Sequence, residues 1–173
     1  MRHRPPRRLV AVRTSDNDKR RLREPAPGRA VGDALAQRAH YEGYAKHKLR
    51  PRAFGLEPFS GEAEDATYCD GHAQFTPDDM ARTPELLRRG IEAGLIGANE
   101  NQGDPTLLWT IDDNGWIYEA RITSPGNALY HAYPVLPGEA IARKVIARFR
   151  VRAYELNDQT LIGAFQRAQE KYR

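Results

Sequence analysis

A single cysteine, Cys69, leaves no partner for an internal disulfide, so packing alone has to hold the fold. Apolar runs are short, and segments such as "AGLIGA" fall far below the ~20 residues that a membrane-spanning helix needs. No apolar stretch follows the basic residues at the start, so no secretion signal is read there. The cytosol is the expected compartment, and no membrane partner is expected. There is no Gly-rich phosphate loop and no nucleophile elbow. "YCDGH" carries Cys69 and His72 at a spacing that zinc sites use, but no second pair follows. The stretch reads as a structural turn, with no metal and no cofactor expected.

What the chain does have is charge, unevenly placed. Residues 1–52 hold 15 Lys or Arg against 5 Asp or Glu, and residues 53–173 hold 12 against 18. An Arg-rich leading segment favours phosphates or acidic partners through counterion release, though it also serves as a plain solubilising tail. The 173 residues suffice for one core of ordinary size. Two parts are expected: a basic, disordered or loosely attached arm over 1–31, and a single α+β domain over 32–173.

Local signals place the elements. Asp33 is positioned to cap a helix through "ALAQRAHYEGYAKHK", and Pro51 bars its continuation. Residues 51–68 read as an irregular linker. "TPDD" at Thr76–Asp79 starts a short helix, and in "TPELLRRGIEAGLIG" Thr83 caps, Pro84 opens, and Leu86, Leu87, Ile91 and Leu95 form one apolar stripe. Residues 98–105 are a loop. "TLLWTIDDNGWIYEARIT" has Asn114-Gly115 between two alternating runs, the preferred pair for a two-residue type I′ turn. With Asp113 paired to Trp116, Leu107, Trp109 and Ile111 face Ile122, Ala120 and Tyr118 in a wholly apolar face. Glu119 and Arg121 share the other face, opposite Thr110 and Leu108.

A third strand, "ALYHAYP", follows the turn "SPGN". Whether its His131 joins Glu119 and Arg121 depends on the parity of the connection, which the sequence leaves open. "EAIARKVIA" reads as a short helix and "RFRVRAY" as a strand with Arg148, Arg150 and Arg152 on one face. Asn157 caps a last helix with Leu161, Ile162, Phe165 and Ala168 inward. The expected architecture is N-terminal helices, then a small, largely antiparallel sheet of about four strands over 105–153, then a C-terminal helix.

Metal-free cleavage of RNA needs a base for the 2′-hydroxyl, an acid for the leaving 5′-oxygen and a cation on the phosphate. Glu119 as base, His131 as acid and Arg121 as phosphate clamp supply the three. Arg148, Arg150 and Arg152 would bind flanking phosphates, and Tyr133 would stack or donate its hydroxyl. The competing reading makes Glu119 and Arg121 the solvated face of an amphipathic strand and His131 an edge residue.

Helices ahead of a twisted antiparallel sheet that carries Glu119, Arg121 and His131 resemble the small microbial ribonuclease toxins of the barnase and colicin type. The resemblance covers roughly residues 105–153 and rests on layout. It implies a metal-independent endoribonuclease with its site on the exposed sheet face, RNA as substrate, and an antitoxin or immunity protein as partner. A function of another class is also open: a non-enzymatic interaction protein whose basic arm docks on nucleic acid or an acidic partner. A third, a toxin-neutralising protein, would suit the acidic balance of 53–173.

Overall fold

The structure, a computed structural model, describes residues 12–62 and 66–173. In chain order the elements are α1 (Arg29–Arg38), β1 (His40–Tyr41), α2 (Cys69–His72), α3 (Thr83–Glu92), β2 (Glu100–Asn101), β3 (Asp104–Pro105), β4 (Leu107–Ile111), β5 (Ile117–Ser124), β6 (Leu129–Pro134), α4 (Ala140–Glu155) and α5 (Gln159–Lys171). Four strands form the main sheet in the order β1-β6-β5-β4, antiparallel except for β1, which runs parallel to β6. The expected α+β class, with a largely antiparallel four-stranded sheet and a C-terminal helix, is what the chain adopts.

Both faces of the sheet are covered. Val145 and Phe149 of α4 and Phe165 of α5 pack on Leu107, Trp109, Ile111 and Ile117. Leu35 of α1 and Leu87 and Ile91 of α3 pack on Leu108, Ala120 and Tyr130. Helix α3 approaches β4 so closely that a Cβ at Gly90 would stand 2.0 Å from the Trp109 carbonyl oxygen. Only glycine fits that contact.

The β4–β5 hairpin differs from expectation by one residue. The Asp112 carboxylate accepts from the Asn114 and Trp116 backbone amides at 2.9 and 2.8 Å. That local bonding closes a three-residue loop, Asp113–Gly115, with Gly115 left-handed at φ 79°. Asp112 therefore faces Trp116, and the pairs become Leu107↔Arg121, Trp109↔Glu119 and Ile111↔Ile117. Since side chains alternate, the slip moves Glu119 and Arg121 onto the face of Trp109, and the expected wholly apolar face is overturned.

The β5–β6 connection settles the parity. It is a longer link with an irregularity between Ile122 and Ser124, and it pairs Glu119 with Tyr133 and Arg121 with His131. Glu119, Arg121 and His131 share one face.

The strand expected over "RFRVRAY" does not form. Ile141, Val145, Phe149 and Ala153 are buried at helical spacing while Val151 is 58% exposed, so one helix, α4, runs through the whole stretch. Arg148, Arg150 and Arg152 then point in different directions. Arg148 donates to the carbonyls of Arg23 and Gly94, Arg150 lies over the Tyr154 and Phe165 rings, and Arg152 faces Glu155. They make no phosphate-binding row.

Three smaller corrections follow from caps and edges. Helix α1 begins at Arg29 and stops at Arg38, because Tyr41 leaves to pair with Tyr130 at the sheet edge. Thr83 is already helical, and its hydroxyl donates to the Met80 carbonyl at 2.8 Å, continuing the 3-10 turn Pro77–Arg82 that Thr76 and Asp79 open. Asp158, not Asn157, caps α5, accepting from the Thr160 and Leu161 amides.

The expected loose arm is in part anchored. Residues 1–11 lie outside the described ones. Further on, Leu22 is buried and bridged to Gly97, and the Arg23 amide donates to the Ile96 carbonyl at 2.8 Å.

Candidate functional site

Glu119 is fully buried, and its carboxylate is held from three sides. Arg20 Nε donates to Oε2 at 2.7 Å, Trp109 Nε1 donates to the same oxygen at 3.0 Å, and the Tyr133 hydroxyl donates to Oε1. Arg20 also donates through Nη1 to Glu139 at 2.8 Å. Burial opposes the Arg20 charge, but Glu119 and Glu139 more than offset it, and the guanidinium is held charged above its ordinary range. Arg121 completes the set: its Nε donates to the Tyr133 hydroxyl at 3.3 Å, and its Nη2 stands 3.7 Å from Glu119. Burial, with Glu119 next, pushes the Tyr133 hydroxyl up to about 12, so Tyr133 remains a neutral donor.

On the open side of this network lies a cleft of about 610 Å³. Arg121, His131 and Tyr133 come from the sheet. Tyr44, Lys46 and His47 come from the 3-10 turn at Ala45–His47 and the residue before it. Arg13 comes from the N-terminal segment and Glu139 from the start of α4. The His47 and His131 rings are nearly parallel, 11° apart with centroids at 5.5 Å, and Tyr44 and Tyr133 flank them at 4.8 Å from His131 and 4.6 Å from His47. His47 Nδ1 meets the Thr67 carbonyl at 3.0 Å. A carbonyl only accepts, so Nδ1 carries the proton and Nε2 is the lone-pair nitrogen of the neutral ring. His131 Nδ1 shares a hydrogen bond with the Thr123 hydroxyl at 2.9 Å.

Both imidazoles are pushed down to about 4. Burial is the main cause for each; Arg121 and Lys46 add to it at His131, and His131, Lys48 and Lys46 at His47. Each ring thus binds its proton more weakly in the fold than in the unfolded chain, whose ordinary value is 6.5. The stability this contributes is fully present above about pH 6.5 and is lost as pH falls toward about 4. Thermal midpoints measured across that range should therefore drop with falling pH, and His47→Gln together with His131→Gln should flatten the slope. An unchanged slope in the double variant would contradict the assignment.

Of the residues read from the sequence, Arg121, His131 and Tyr133 meet at the cleft, and Glu119 sits behind them. Glu119 faces no solvent, and both its oxygens are taken, so the expected role of base on an exposed sheet face does not suit it. Arg148, Arg150 and Arg152 are not lining residues. Cys69 is buried, its thiol donating to the Ala132 carbonyl, and His72 Nδ1 accepts from the Tyr68 amide, which makes that stretch a helical turn. Among the described residues no group of three or more His, Cys, Asp or Glu is placed to hold a metal ion, and no helix is long and apolar enough to cross a membrane.

Sequence reasoning missed Arg13, Arg20, Tyr44, Lys46, His47 and Glu139. From the sequence, "YAKHK" reads as part of the first helix, whereas it forms the Ala45–His47 turn after β1; its two lysines and histidine offer a helix no apolar face. Arg20 carries no local signal. Compared with protein-family models, curated proteins and solved structures, the chain matches none.

Proposed function

We propose that this protein is a metal-independent endoribonuclease whose site is the cleft between β5, β6 and the Ala45–His47 turn. The observation that carries the reading is the pair of adjacent histidines in a cleft that also presents Arg13, Lys46 and Arg121. His47, through Nε2, takes the proton of the 2′-hydroxyl in place of Glu119. His131 delivers a proton to the leaving 5′-oxygen, and Arg121 stabilises charge on the phosphate, with Lys46 and Arg13 on flanking phosphates. Glu119 is a positioning residue: it fixes the Tyr133 hydroxyl, which fixes Arg121. The docking of the leading segment favours this reading over a free basic arm as the working part, since Arg20 is spent inside the fold.

The experiment is cleavage of total RNA by the purified protein in EDTA. His47→Gln and His131→Gln, checked for folding by circular dichroism, are each expected to lose about 10²–10⁴-fold in rate. The working form holds one proton between two rings that titrate near 4 when the cleft is empty, so kcat/KM should peak near that pH and fall on either side of it. No cleavage by the wild-type protein, or full activity in both folded variants, would refute the reading.

A further inference from the structure

We infer that the cleft is a site for a doubly charged oxyanion, the terminal phosphate of a nucleotide or an RNA end, and that the anion enters together with protons taken up by His47 and His131. The inference rests on the nuclease reading for the identity of the ligand and on the cleft's own charges for the rest.

Charge comes first. Arg13, Lys46 and Arg121 line the cleft, and the one lining carboxylate, Glu139, is bonded to Arg20 at 2.8 Å. Glu119, behind the wall, is bonded to the same arginine at 2.7 Å. These four cations against two carboxylates leave two positive charges for a ligand to balance. An internal phosphodiester carries one negative charge, whereas a terminal phosphate carries about −1.5 to −2 near neutrality. Arg121 also supplies a planar fork of donors, the geometry that suits phosphate oxygens.

The proton follows from what surrounds the rings. His47 is faced by Lys46 and Lys48 from its own turn, by His131 and Tyr133 from β6, and by Tyr44. His131 is faced by Arg121 from β5 and by Lys46. Among the described residues neither ring is hydrogen-bonded to a carboxylate. Burial, with these cations adding to it, keeps both rings neutral while the cleft is empty. A dianion in contact with the same rings cancels the field of the cations and pairs directly with imidazolium, which raises both rings toward the charged form.

Size is consistent with a nucleotide. About 610 Å³ lies within the ~300–1,000 Å³ of ordinary small-molecule sites and exceeds what a bare phosphate fills, leaving room for a nucleoside beside Tyr44 and Tyr133.

The test is isothermal titration of the full chain with sulfate, a dianion near neutral pH that has no proton of its own to exchange there. Dimethyl phosphate serves as the singly charged comparison and a nucleoside 3′-monophosphate as the natural form. Titrations in two buffers of different ionisation enthalpy should report uptake of about one to two protons per sulfate, and affinity should rise roughly tenfold per proton for each pH unit lowered. Dimethyl phosphate should bind at least ~10-fold more weakly, the nucleotide more tightly than sulfate, and Arg121→Ala should weaken sulfate at least ~10-fold. His47→Gln and His131→Gln should each reduce the uptake. Sulfate that binds without proton uptake, that binds no better than dimethyl phosphate, or that does not bind overturns the inference. The nuclease reading fails separately: proton-linked sulfate binding by a protein that does not cut RNA leaves this site standing and removes the reaction, and RNA cleavage indifferent to sulfate does the opposite.

Discussion

Glu119→Ala is expected to destabilise the fold by about 3–5 kcal/mol in urea unfolding, a large share of the ~5–15 kcal/mol that keeps a domain folded. The carboxylate has no exposure, and its removal takes from Arg20, itself only 8% exposed, one of its two counter-ions. The Trp109 indole and the Tyr133 hydroxyl lose their acceptor in the same step. Glu119→Gln keeps the shape and an acceptor and should cost less. Arg20→Met combined with Glu119→Met and Glu139→Gln, which removes all three charges, should recover part of the loss, because the attraction between buried charges is largely offset by their desolvation. A loss below ~1 kcal/mol for Glu119→Ala would mean that water reaches the pocket and the network is not dry.

Gly90→Ala should lower the thermal midpoint by several degrees, from a cost of about 3 kcal/mol, although alanine is the better helix former by ~1 kcal/mol. The new methyl would stand 2.0 Å from the Trp109 carbonyl oxygen and 3.0 Å from Thr110 Cβ, so α3 must move off β4. Gly163→Ala in α5 is the internal control. There the nearest atoms, from 3.1 Å, belong to the far end of the Arg167 side chain and not to backbone, and the intrinsic preference should show as a neutral or stabilising change. Equal effects at the two glycines would refute the close approach of α3 to the sheet.

How much of this was legible depended on how far apart the interacting residues lie. The start at Thr76, the apolar residues Leu86, Leu87 and Ile91 of α3 and the position of the β4–β5 turn are written within a few residues and read correctly, whereas Leu95, expected on the same stripe, lies beyond the helix end at Glu92. The length of the β4–β5 turn was not legible, because Asn114-Gly115 suggests two residues whereas the Asp112 side chain selects three. That one residue decided which face Glu119 occupies. "RFRVRAY" alternates well enough for a strand, and only the helical continuity of Ile141, Val145, Phe149 and Ala153 shows otherwise. At the site, Arg121, His131 and Tyr133 were legible because two neighbouring strands, β5 and β6, carry them at period two. Their partners were not: Arg20 and Glu119 are 99 residues apart, and no local pattern links them.

That separation also orders events in time. During synthesis Arg20 leaves the ribosome long before either of its partners, 99 and 119 residues downstream, and at ~5–20 residues per second the first of them follows about 5–20 s later. Until then the guanidinium stays in water, and the leading segment has no charged pocket in which to lodge. Closing so long a loop ahead of the contacts that reward it is unfavourable, so the segment docks after β5 and the start of α4 have formed. Arg13 reaches the cleft on that same segment, its carbonyl accepting from the Ala140 amide at 2.9 Å. The nascent chain therefore carries an incomplete cleft until its last third has been made, and the final docking step is the one that completes it.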